Sequence, residues 1–509
     1  MNPKPSICVA THHASIQDLL NDAEFRSLAN RVGFLVELRL DFFNDLSDDT
    51  LDQALAVFAP NALVTFRHPL EGGKQPNVTD AERLRYLQRA ANHGVKYIDI
   101  EARTQREGFD KRDAKLVVSY HDFEKTPCNI SEYVKIWRMG RQPGVDVLKI
   151  AVMPKTIGDT IDALLAYKCC NSEGNTFSTI ILCMGEVGLW TRILAGYFGA
   201  PFTFARGENA PGTAPGQPTW RELEEMYRFR RIISDTQIYG VIGNPIGHSL
   251  SPLMHNAAFS ELTMNRVYLP FKVDSCLAEF TEGFRTVLSG ASVTIPHKES
   301  ILRCCEQVDV VARKIGAANT ISECDLGEPE LEWNATNTDA PAAADCLESA
   351  LGSLKDKHVL ILGAGGAARA VAVGVKERGA RVSVLNRTRE RAEALAKELG
   401  ATVVSADELG ALQIDAIVNT TPIGMYPNVD ASPLEENQIP KGGLVFDTVY
   451  NPLRTRLLEL AEKRGCKTVE GLEMFIGQGV RQFELWTGKT APRELMHRVV
   501  LDALKKRQK

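Results

Sequence analysis

The sequence predicts an α/β fold: an N-terminal (β/α)8 barrel of the TIM type, then a small α/β domain and a Rossmann-like nucleotide-binding domain. Three observations support this prediction. Roughly the first 200 residues alternate short apolar runs with amphipathic stretches of helical period. The Gly/Pro-rich stretch Gly207–Pro218 separates this part from the rest. Further along, an apolar strand leads into the glycine-rich turn GAGGAARA, Gly363–Ala370.

Eight strand candidates occur in the first part, and most gaps between them have helical periodicity, as at Asp80–His93 and Ile157–Cys169. The candidates are Ser6–Ala10, Leu35–Leu40, Leu63–Phe66, Tyr97–Ile100, Leu116–Ser119, Val147–Ala151, Thr179–Cys183 and Pro201–Phe204. This number of strand–helix units favours a closed parallel barrel, with an open doubly wound sheet as the alternative.

The second part follows a charged helix predicted at Trp220–Arg231 and begins with the strand Ile238–Ile242. Strands His358–Leu362 and Arg381–Leu385 flank the glycine-rich turn, as in a nucleotide-binding domain. We therefore expect domains at 1–233 (barrel), 236–340 (small α/β), 341–470 (nucleotide-binding) and 471–509, whose helices Gly471–Thr487 and Pro492–Lys505 should pack back on the 236–340 domain.

Composition limits the classes of function. The 509 residues are 44% hydrophobic and 24% charged, with a net charge of -5, as in ordinary multidomain proteins. Because there is neither a basic run nor an apolar stretch of roughly 18 residues, we expect no nucleic-acid or membrane partner. The 11 cysteines lack CxxC spacing and the 10 histidines lack zinc-site spacing, which predicts a reducing compartment and no metal. The start lacks a signal or transit peptide, which predicts a cytoplasmic location.

Polar residues at the ends of the barrel strands are the candidates for a first site, because barrel enzymes place their chemistry there. They are Glu37, Arg39, Arg67, Glu71, His121 and Arg192. Each alone would more often be a structural histidine or an ion-pair partner. Three arginines at one barrel mouth, however, repel one another, and this destabilises the fold unless acidic residues or a carboxylate-bearing ligand balance their charge.

Lys149 lies inside the apolar run VLKIAVM, where either face of the strand is dry. Burial favours the neutral amine and lowers its pKa, as a Schiff-base nucleophile requires. The alternative is a lysine that reaches out of the barrel mouth or pairs with a carboxylate.

The motifs ELRLD, TFRHPLEGG, SYHDF, LKIAVMP and TAPGQPT resemble, in order and spacing, the type I 3-dehydroquinate dehydratases. The resemblance implies that Lys149 forms an imine with the substrate ketone, without metal or cofactor. It makes His121 the general acid/base, oriented by Glu71. The residues it implies for substrate binding are Glu37, Arg39, Arg67, Arg192, Thr213 and Gln217, with Thr213 standing where serine is typical.

The glycine-rich turn suits a dinucleotide, since its backbone lets a pyrophosphate approach the start of a helix. The residues of the turn are Gly363, Ala364, Gly365, Gly366 and Ala367. The next strand is followed by Asn386, Arg387 and Thr388, where an NAD enzyme usually has an acidic residue. Arg387 and nearby Arg391 suit the 2′-phosphate of NADP. A solvated basic loop is the alternative, because Arg389 is also present.

The motifs SLSPLMH, VTIPHKE, GAANT, NTDA, DTVYNP and EGLEMFIGQ together resemble the shikimate dehydrogenases from Ile238 onward. The resemblance implies that Lys298 and Asp339 form the catalytic pair. It implies substrate contacts for Ser249, Ser251, Thr294, Asn319, Tyr450 and Gln478, and a cofactor contact for Gly471. Leu250 stands where lysine is common, and Ala340 where many members have glycine.

The order of the two halves resembles the bifunctional enzyme of plants. The implied activity is dehydration of 3-dehydroquinate to 3-dehydroshikimate, then NADPH-dependent reduction to shikimate, with these small molecules as partners. One alternative is a second half that prefers quinate, against which Ser249, Ser251 and Thr294 argue. The other is a non-catalytic regulator, which should have lost its nucleophile or its pair. The sequence does not indicate the oligomeric state.

Overall fold

The computed structural model of this protein describes residues 4–170, 177–324 and 332–507. The first three residues of the predicted 1–233 domain and the last two of the predicted 471–509 segment lie outside this description. The chain divides into two compact units: Met1–Ile238 with Asn265–Phe284, and Tyr239–Met264 with Arg285–Lys509.

The first unit opens with alternating strands and helices. They are β1 (Ser6–Ala10), α1 (Ile16–Asn21), α2 (Ala23–Ala29), β2 (Phe34–Arg39), α3 (Asp48–Phe58), β3 (Ala62–Thr65), α4 (Asp80–Asn92), β4 (Tyr97–Glu101), β5 (Lys115–Asp122), α5 (Ile130–Gly140), β6 (Val147–Val152), α6 (Ile161–Cys170), β7 (Ser178–Cys183), α7 (Leu189–Ile193) and β8 (Phe202–Arg206). Side chains cap several of these helices, as Thr79 does for α4 and Asn129 for α5.

These eight strands pair in parallel in the order β7-β6-β5-β4-β3-β2-β1-β8, so β7 and β8 are the edges of a nearly closed barrel. The predicted barrel is confirmed. Because all strands run the same way, their carboxyl ends meet at one mouth. The connection between β4 and β5, residues 102–114, is described throughout and contains no helix, so it is a loop at the barrel rim.

The predicted helix Trp220–Arg231 is wrong as a single element. A short π-helical turn, Glu222–Met226, and a 3-10 turn, Phe229–Arg231, take its place. Arg228 between them has a φ of 52°, in the left-handed region, which stops regular helical hydrogen bonding.

The chain continues through the remaining elements. They are β9 (Gln237–Gly243), α8 (Ser251–Glu261), β10 (Arg266–Lys272), α9 (Leu277–Gly283), β11 (Leu288–Val293), β12 (Gln307–Val308), α10 (Val310–Ile315), β13 (Thr320–Cys324), β14 (Glu332–Thr336), α11 (Asp339–Leu351), β15 (His358–Leu362), α12 (Gly366–Glu377), β16 (Arg381–Leu385), α13 (Arg389–Leu399), β17 (Thr402–Val403), β18 (Ala416–Asn419), β19 (Leu444–Asp447), α14 (Arg456–Lys463), β20 (Lys467–Val469), α15 (Gly471–Thr487) and α16 (Arg493–Arg507).

The segment Asn265–Phe284, with β10 and α9, belongs to the first unit. The ring of Phe284 meets the ring of Trp190 edge-on, with centroids 5.2 Å apart. The ammonium of Lys272 lies 2.9 Å from the carboxylate of Glu186. Trp190 is part of α7, so this segment packs on the helix that also carries Arg192.

The second unit contains two sheets. In the mixed sheet, β9, β11, β13, β14 and β12 are neighbours in that order. The other sheet is parallel in the order β17-β16-β15-β18-β19-β20. Its strand order reverses between β15 and β18, which confirms the Rossmann-like prediction and places a crevice beyond the end of β15. Helix α15 packs on α11, and α16 packs on α8. In the described parts of the chain, every helix is too short or too polar to span a bilayer.

Candidate active sites

The barrel mouth holds a cavity of about 480 Å³, including space that is open to solvent. All nine residues predicted for the first site line it: Glu37, Arg39, Arg67, Glu71, His121, Lys149, Arg192, Thr213 and Gln217. They come from β2, β5 and β6 and from the segments after β3, β7 and β8. The barrel thus gathers residues that are far apart in sequence into one polar pocket.

Lys149 projects from β6 into this cavity and is only 5% exposed. Its ammonium lies 3.6 Å from Oδ2 of Asp99 and 3.9 Å from the centre of the Phe204 ring. Burial lowers the pKa of Lys149, and Asp99 opposes that shift, while the positive charge of Arg67 adds to it. The Lys149 amine is therefore neutral more often in this site than it would be in water, and the carboxylate of Asp99 lies beside it.

Asp99 belongs to a buried ionic network that sequence reasoning missed. Arg67 donates to Asp99 at 2.8 Å and to Glu101 at 3.0 Å, and it also donates to Ser119 at 2.7 Å. Burial alone would raise the pKa of Asp99, but Arg67 and Lys149 hold it below its usual value. The run YIDIE could have indicated this network, because its two acids, Asp99 and Glu101, are two positions apart in a strand and so face the same side.

His121 and Glu71, which we expect to act as the general acid/base and its orienting residue, lie in contact. Oε2 of Glu71 accepts the backbone N–H of His121 at 3.0 Å and lies 3.0 Å from Nδ1 of its ring. Burial and the nearby positive charges of Arg67, Lys149 and Arg39 lower the pKa of His121. Burial raises the pKa of Glu71 to about 7. A neutral imidazole therefore faces the cavity near Lys149.

Arg192 is the best-placed anion ligand of this site. It is 2% exposed, and burial lowers its pKa to about 10. Among the described residues, its Nε has no hydrogen-bond partner. Arg39 is different, because Asp41 accepts from its Nε and Nη2, both at 2.9 Å. An incoming carboxylate would satisfy Arg192.

Three further predicted residues line the cavity: Glu37, Thr213 and Gln217. Oε1 of Gln217 accepts the backbone N–H groups of Thr213 at 2.7 Å and of Ala214 at 3.2 Å. Glu37 accepts from the hydroxyl of Thr65 at 2.9 Å. The Gln217 bonds therefore close a local turn at 213–217 beside the cavity.

The second candidate site is built around Lys298 and Asp339. The ammonium of Lys298 lies 2.6 Å from Oδ2 of Asp339. Asn319 donates to the other carboxylate oxygen at 2.9 Å and accepts the backbone N–H of Thr338 at 2.8 Å. Asp339 is the first residue of α11, and Ala340 is the second. The predicted pair is assembled, and Asn319 fixes its orientation.

The remaining predicted substrate residues follow neighbouring strands of the mixed sheet. Ser249 and Ser251 come after β9, and the backbone N–H of Ser251 lies 3.3 Å from the Ser249 hydroxyl oxygen. Thr294 follows β11, and its N–H donates to the carbonyl of Ile242 on β9 at 2.9 Å. The three hydroxyls are therefore at the same edge of the sheet.

Tyr450 and Gln478 lie elsewhere in the second unit. The ring of Tyr450 stacks on Phe475 with centroids 4.4 Å apart, and Gln478 donates to the carbonyl of Phe475 at 2.7 Å. In the described residues, no hydrogen bond joins either side chain to the Lys298–Asp339 pair. A Cβ on Gly471 would meet the Val449 carbonyl oxygen at 2.4 Å, so this position requires glycine.

The glycine-rich turn after β15 fits a dinucleotide. Gly363 has a φ of 116°, which only glycine adopts readily, and a Cβ there would meet the Thr420 hydroxyl at 2.6 Å. A Cβ on Gly365 or Gly366 would meet nothing within 4 Å, so the backbone is open to a ligand. Helix α12 begins at Gly366 without a side-chain cap, and its first N–H groups, including that of Ala367, are available to a phosphate. Ala364 completes the turn.

Arg387 and Arg391 flank the start of α13, and both are exposed. In the part of the chain that the structure describes, neither forms an ion pair, whereas Arg389 between them pairs with Glu393 at 2.9 Å. Asn386 donates to the carbonyl of Thr388 at 2.8 Å and so closes the turn. Two arginines thus remain for a further phosphate beyond β16.

Two residues that sequence reasoning missed support the second site. Gln482 is buried, and it donates to the Asn319 carbonyl at 3.1 Å and to the Thr320 hydroxyl at 2.9 Å. Arg507, at the end of α16, donates to the carbonyl of His248 at 3.0 Å, next to Ser249. Neither stood in a recognisable motif, since both come from the closing helices.

Known families match both halves of the chain. The family described as type I 3-dehydroquinase matches residues 7–234. The shikimate dehydrogenase substrate binding domain matches 241–321, shikimate/quinate 5-dehydrogenase matches 345–424, and the shikimate 5′-dehydrogenase C-terminal domain matches 471–501.

Similar proteins span either the whole chain or its second half. The chloroplastic bifunctional 3-dehydroquinate dehydratase/shikimate dehydrogenase of Arabidopsis thaliana is 36% identical over 97% of this chain and 84% of its own length. The NADP⁺ shikimate dehydrogenase of Methanosarcina acetivorans is 41% identical over 53% of this chain and 99% of its own. A crystal structure of a shikimate dehydrogenase with NADP⁺ is similar with a TM-score of 0.51 and 39% identity, covering 53% of this chain and 96% of that one.

Proposed function

This chain belongs to the bifunctional 3-dehydroquinate dehydratase/shikimate dehydrogenase family, and from that premise we propose which of its residues perform the two reactions. The enzyme dehydrates 3-dehydroquinate to 3-dehydroshikimate through a lysine Schiff base, then reduces the product to shikimate with NADPH. The observation that carries the assignment is the buried amine of Lys149, in a cavity with His121 and an unpaired Arg192 nitrogen.

We assign the two activities to four parts of the chain. The dehydratase occupies 1–233, the shikimate-binding domain 236–340, the NADP-binding domain 341–470, and the closing helices 471–509 support the shikimate-binding domain. The packing of α16 on α8 supports the last assignment. The start of β9 at Gln237 supports the first boundary.

The dehydratase begins with attack of the Lys149 amine on the substrate ketone. Loss of water from the adduct leaves a protonated imine, which withdraws electrons from the neighbouring carbon. The carboxylate of Asp99, 3.6 Å from the lysine nitrogen, stabilises the positive charge of that imine. Burial of Lys149 supplies the neutral amine that the first step consumes.

His121 then removes a proton from the acidified carbon and returns it to the leaving hydroxyl, which departs as water. Glu71 holds Nδ1 of His121, so the other ring nitrogen faces the substrate as the base. Hydrolysis of the imine releases 3-dehydroshikimate and regenerates the Lys149 amine. Lys149 and His121 return to their starting states, and the net change is the loss of one water from the substrate.

The other residues of the barrel cavity hold the substrate. Arg192, whose Nε lacks a protein partner among the described residues, binds the carboxylate together with Arg39 and Arg67. Glu37, Thr213 and Gln217 contact the ring hydroxyls from the rim, which their place in the cavity lining supports.

In the dehydrogenase, Lys298 and Asp339 act as the proton-handling pair. The substrate carboxylate binds to Ser249 and Ser251, and its ring is held by Thr294 and Asn319, with Tyr450 and Gln478 as further contacts. Negative charge develops on the carbonyl oxygen during reduction, and the Lys298 ammonium stabilises it and donates the proton. The 2.6 Å contact with Asp339 keeps the ammonium in place.

NADPH supplies the hydride when it is bound. The pyrophosphate of NADPH binds to the turn Gly363–Ala367. Gly471 is a further cofactor contact, and its lack of a Cβ lets it lie close to the Val449 carbonyl. The ribose 2′-phosphate binds to Arg387 and Arg391, with Asn386 and Thr388 forming the loop. The exposure of both arginines without an ion-pair partner in the described chain supports this assignment.

A reducing compartment such as the cytoplasm suits this chain. All 11 of its cysteines are free thiols. Structural disulfides are common in oxidising compartments and rare in reducing ones.

Separate assays of the two halves test the proposal. The full chain should convert 3-dehydroquinate to the conjugated ketone 3-dehydroshikimate without NADPH. It should oxidise NADPH when 3-dehydroshikimate is supplied directly or is formed from 3-dehydroquinate. Lys149→Ala should lose only the first activity and Lys298→Ala only the second. Loss of both activities in either properly folded variant would contradict the assignment of separate sites.

A further inference from the structure

Glu71 has two carboxylate oxygens, and each has a different partner. Oε2 holds His121 through its ring and its backbone N–H, both at 3.0 Å. Oε1 accepts from Nε of Arg103 at 2.9 Å. Glu71 itself is 1% exposed, whereas the Arg103 side chain is 44% exposed at the barrel rim. Arg103 thus reaches inward from the helix-free loop between β4 and β5 to cover the base-orienting carboxylate.

We propose that Arg103 is a positioning residue of the dehydratase, which keeps Glu71 ionised and thereby keeps His121 in the tautomer that acts as base. The inference deepens the function proposed above and depends on it. Arg103 touches neither Lys149 nor His121 among the described contacts, so its effect on the reaction passes through Glu71.

The charges around Glu71 explain why a second cation is needed. Burial and the buried negative charge of Glu101 raise the pKa of Glu71, whose net value is about 7. Arg67 and Arg103 lower it, but Arg67 is already shared by Asp99, Glu101 and Ser119. The other titratable groups that face Glu71 are His121 and Tyr120, both on β5. Among the described residues, Arg103 is the only arginine or lysine that donates to a Glu71 oxygen.

The direction of the bond between Glu71 and His121 decides the chemistry. An ionised Glu71 accepts Nδ1–H, which leaves the other ring nitrogen unprotonated and able to remove the substrate proton. A protonated Glu71 donates to Nδ1 instead, which places the ring proton on the nitrogen that faces the substrate. Without Arg103 the pKa of Glu71 rises, so this inactive arrangement persists to higher pH.

Arg103→Gln tests the inference through the pH dependence of dehydratase kcat/KM in the full chain. The acidic limb should move up by about half a pH unit, a value limited by the exposure of Arg103. At pH 6 this shift corresponds to an activity loss of about threefold, while the rate on the alkaline plateau should stay near that of the parent enzyme. Arg103→Lys restores a positive charge and should move the limb most of the way back.

Arg112→Gln is the matched control, because Arg112 lies in the same loop, just before β5, and pairs with Asp110 at 2.9 Å. It should leave the limb where it is. An unmoved limb in Arg103→Gln, or a raised KM without a shift, would overturn the inference and make Arg103 a structural or substrate-binding residue. A dehydratase rate near that of the parent on the alkaline plateau confirms that the barrel is folded. A parent enzyme without dehydratase activity would instead refute the proposed function itself.

Discussion

The amine of Lys149 lies 3.6 Å from the carboxylate of Asp99, and both are buried inside the barrel. The reaction needs a neutral amine for the first step and a stabilised cation for the next, and this pair supplies both. Burial lowers the pKa of Lys149 and makes the neutral nucleophile available. The nearby negative charge of Asp99 then stabilises the cationic imine that follows. Arg67 donates to Asp99 at 2.8 Å and keeps it ionised in this dry setting.

The covalent role of Lys149 leads to the first prediction. Incubation with 3-dehydroquinate and borohydride should reduce the imine and leave one stable adduct, located on Lys149 by peptide mass spectrometry. Lys149→Ala should abolish both the adduct and dehydration. Lys155→Ala, at an exposed lysine just beyond β6, should keep both. An adduct on another lysine would disprove the assignment.

The second prediction concerns pH. Because the pKa of Glu71 is raised to about 7, its carboxyl gains a proton as the pH falls through that value, and His121 then loses its basic tautomer. Dehydratase kcat/KM should therefore decline below about pH 7. Glu71→Gln cannot titrate and should give a lower rate without that limb. Persistence of the limb in Glu71→Gln would assign it to another group.

Cofactor preference is the third prediction. Arg387→Ala should weaken NADPH binding about tenfold, near the lower end for hydrogen bonds to charged groups because Arg387 is exposed. NADH has no 2′-phosphate, so its binding should change little. Arg389→Ala, whose arginine pairs with Glu393, is the control and should leave both affinities unchanged. Equal losses for the two cofactors would argue against Arg387 as the phosphate ligand.

The fourth prediction separates chemistry from binding in the dehydrogenase. Lys298→Ala should lower kcat by on the order of 10² or more, because the ammonium acts on charge that develops in the transition state. KM for 3-dehydroshikimate should change much less, since the serines and Asn319 remain. Lys314→Ala, which removes an exposed ion pair with Glu377, should behave like the parent. A rise in KM with unchanged kcat would make Lys298 a binding residue.

Much of the barrel could be predicted because its strands are short apolar runs at regular intervals. The strands His358–Leu362 and Arg381–Leu385 were predicted at their observed limits for the same reason. Lys149 stood out because it is charged within an apolar strand. The helix predicted at Trp220–Arg231 failed because the pattern does not report the left-handed backbone of Arg228.

Contacts between distant segments were harder to predict. Asp99 and Glu101 form an alternating pair in β4, but only the closed barrel shows that Arg67 and Lys149 share them. Arg103 lies in an irregular loop, where no periodic pattern indicates which way a side chain faces. Gln482 reaches Asn319 from a closing helix that carries no recognisable motif at that position. Such partners depend on topology, which local sequence does not encode.

One measurement tests the central claim most directly. The full chain is incubated with 3-dehydroquinate and NADPH, and the products are identified by NMR over time. We predict 3-dehydroshikimate as a transient and shikimate as the final product, with Lys298→Ala stopping at 3-dehydroshikimate and Lys149→Ala leaving the substrate unchanged. Direct formation of quinate, without loss of water, would contradict the claim that the two sites catalyse consecutive steps.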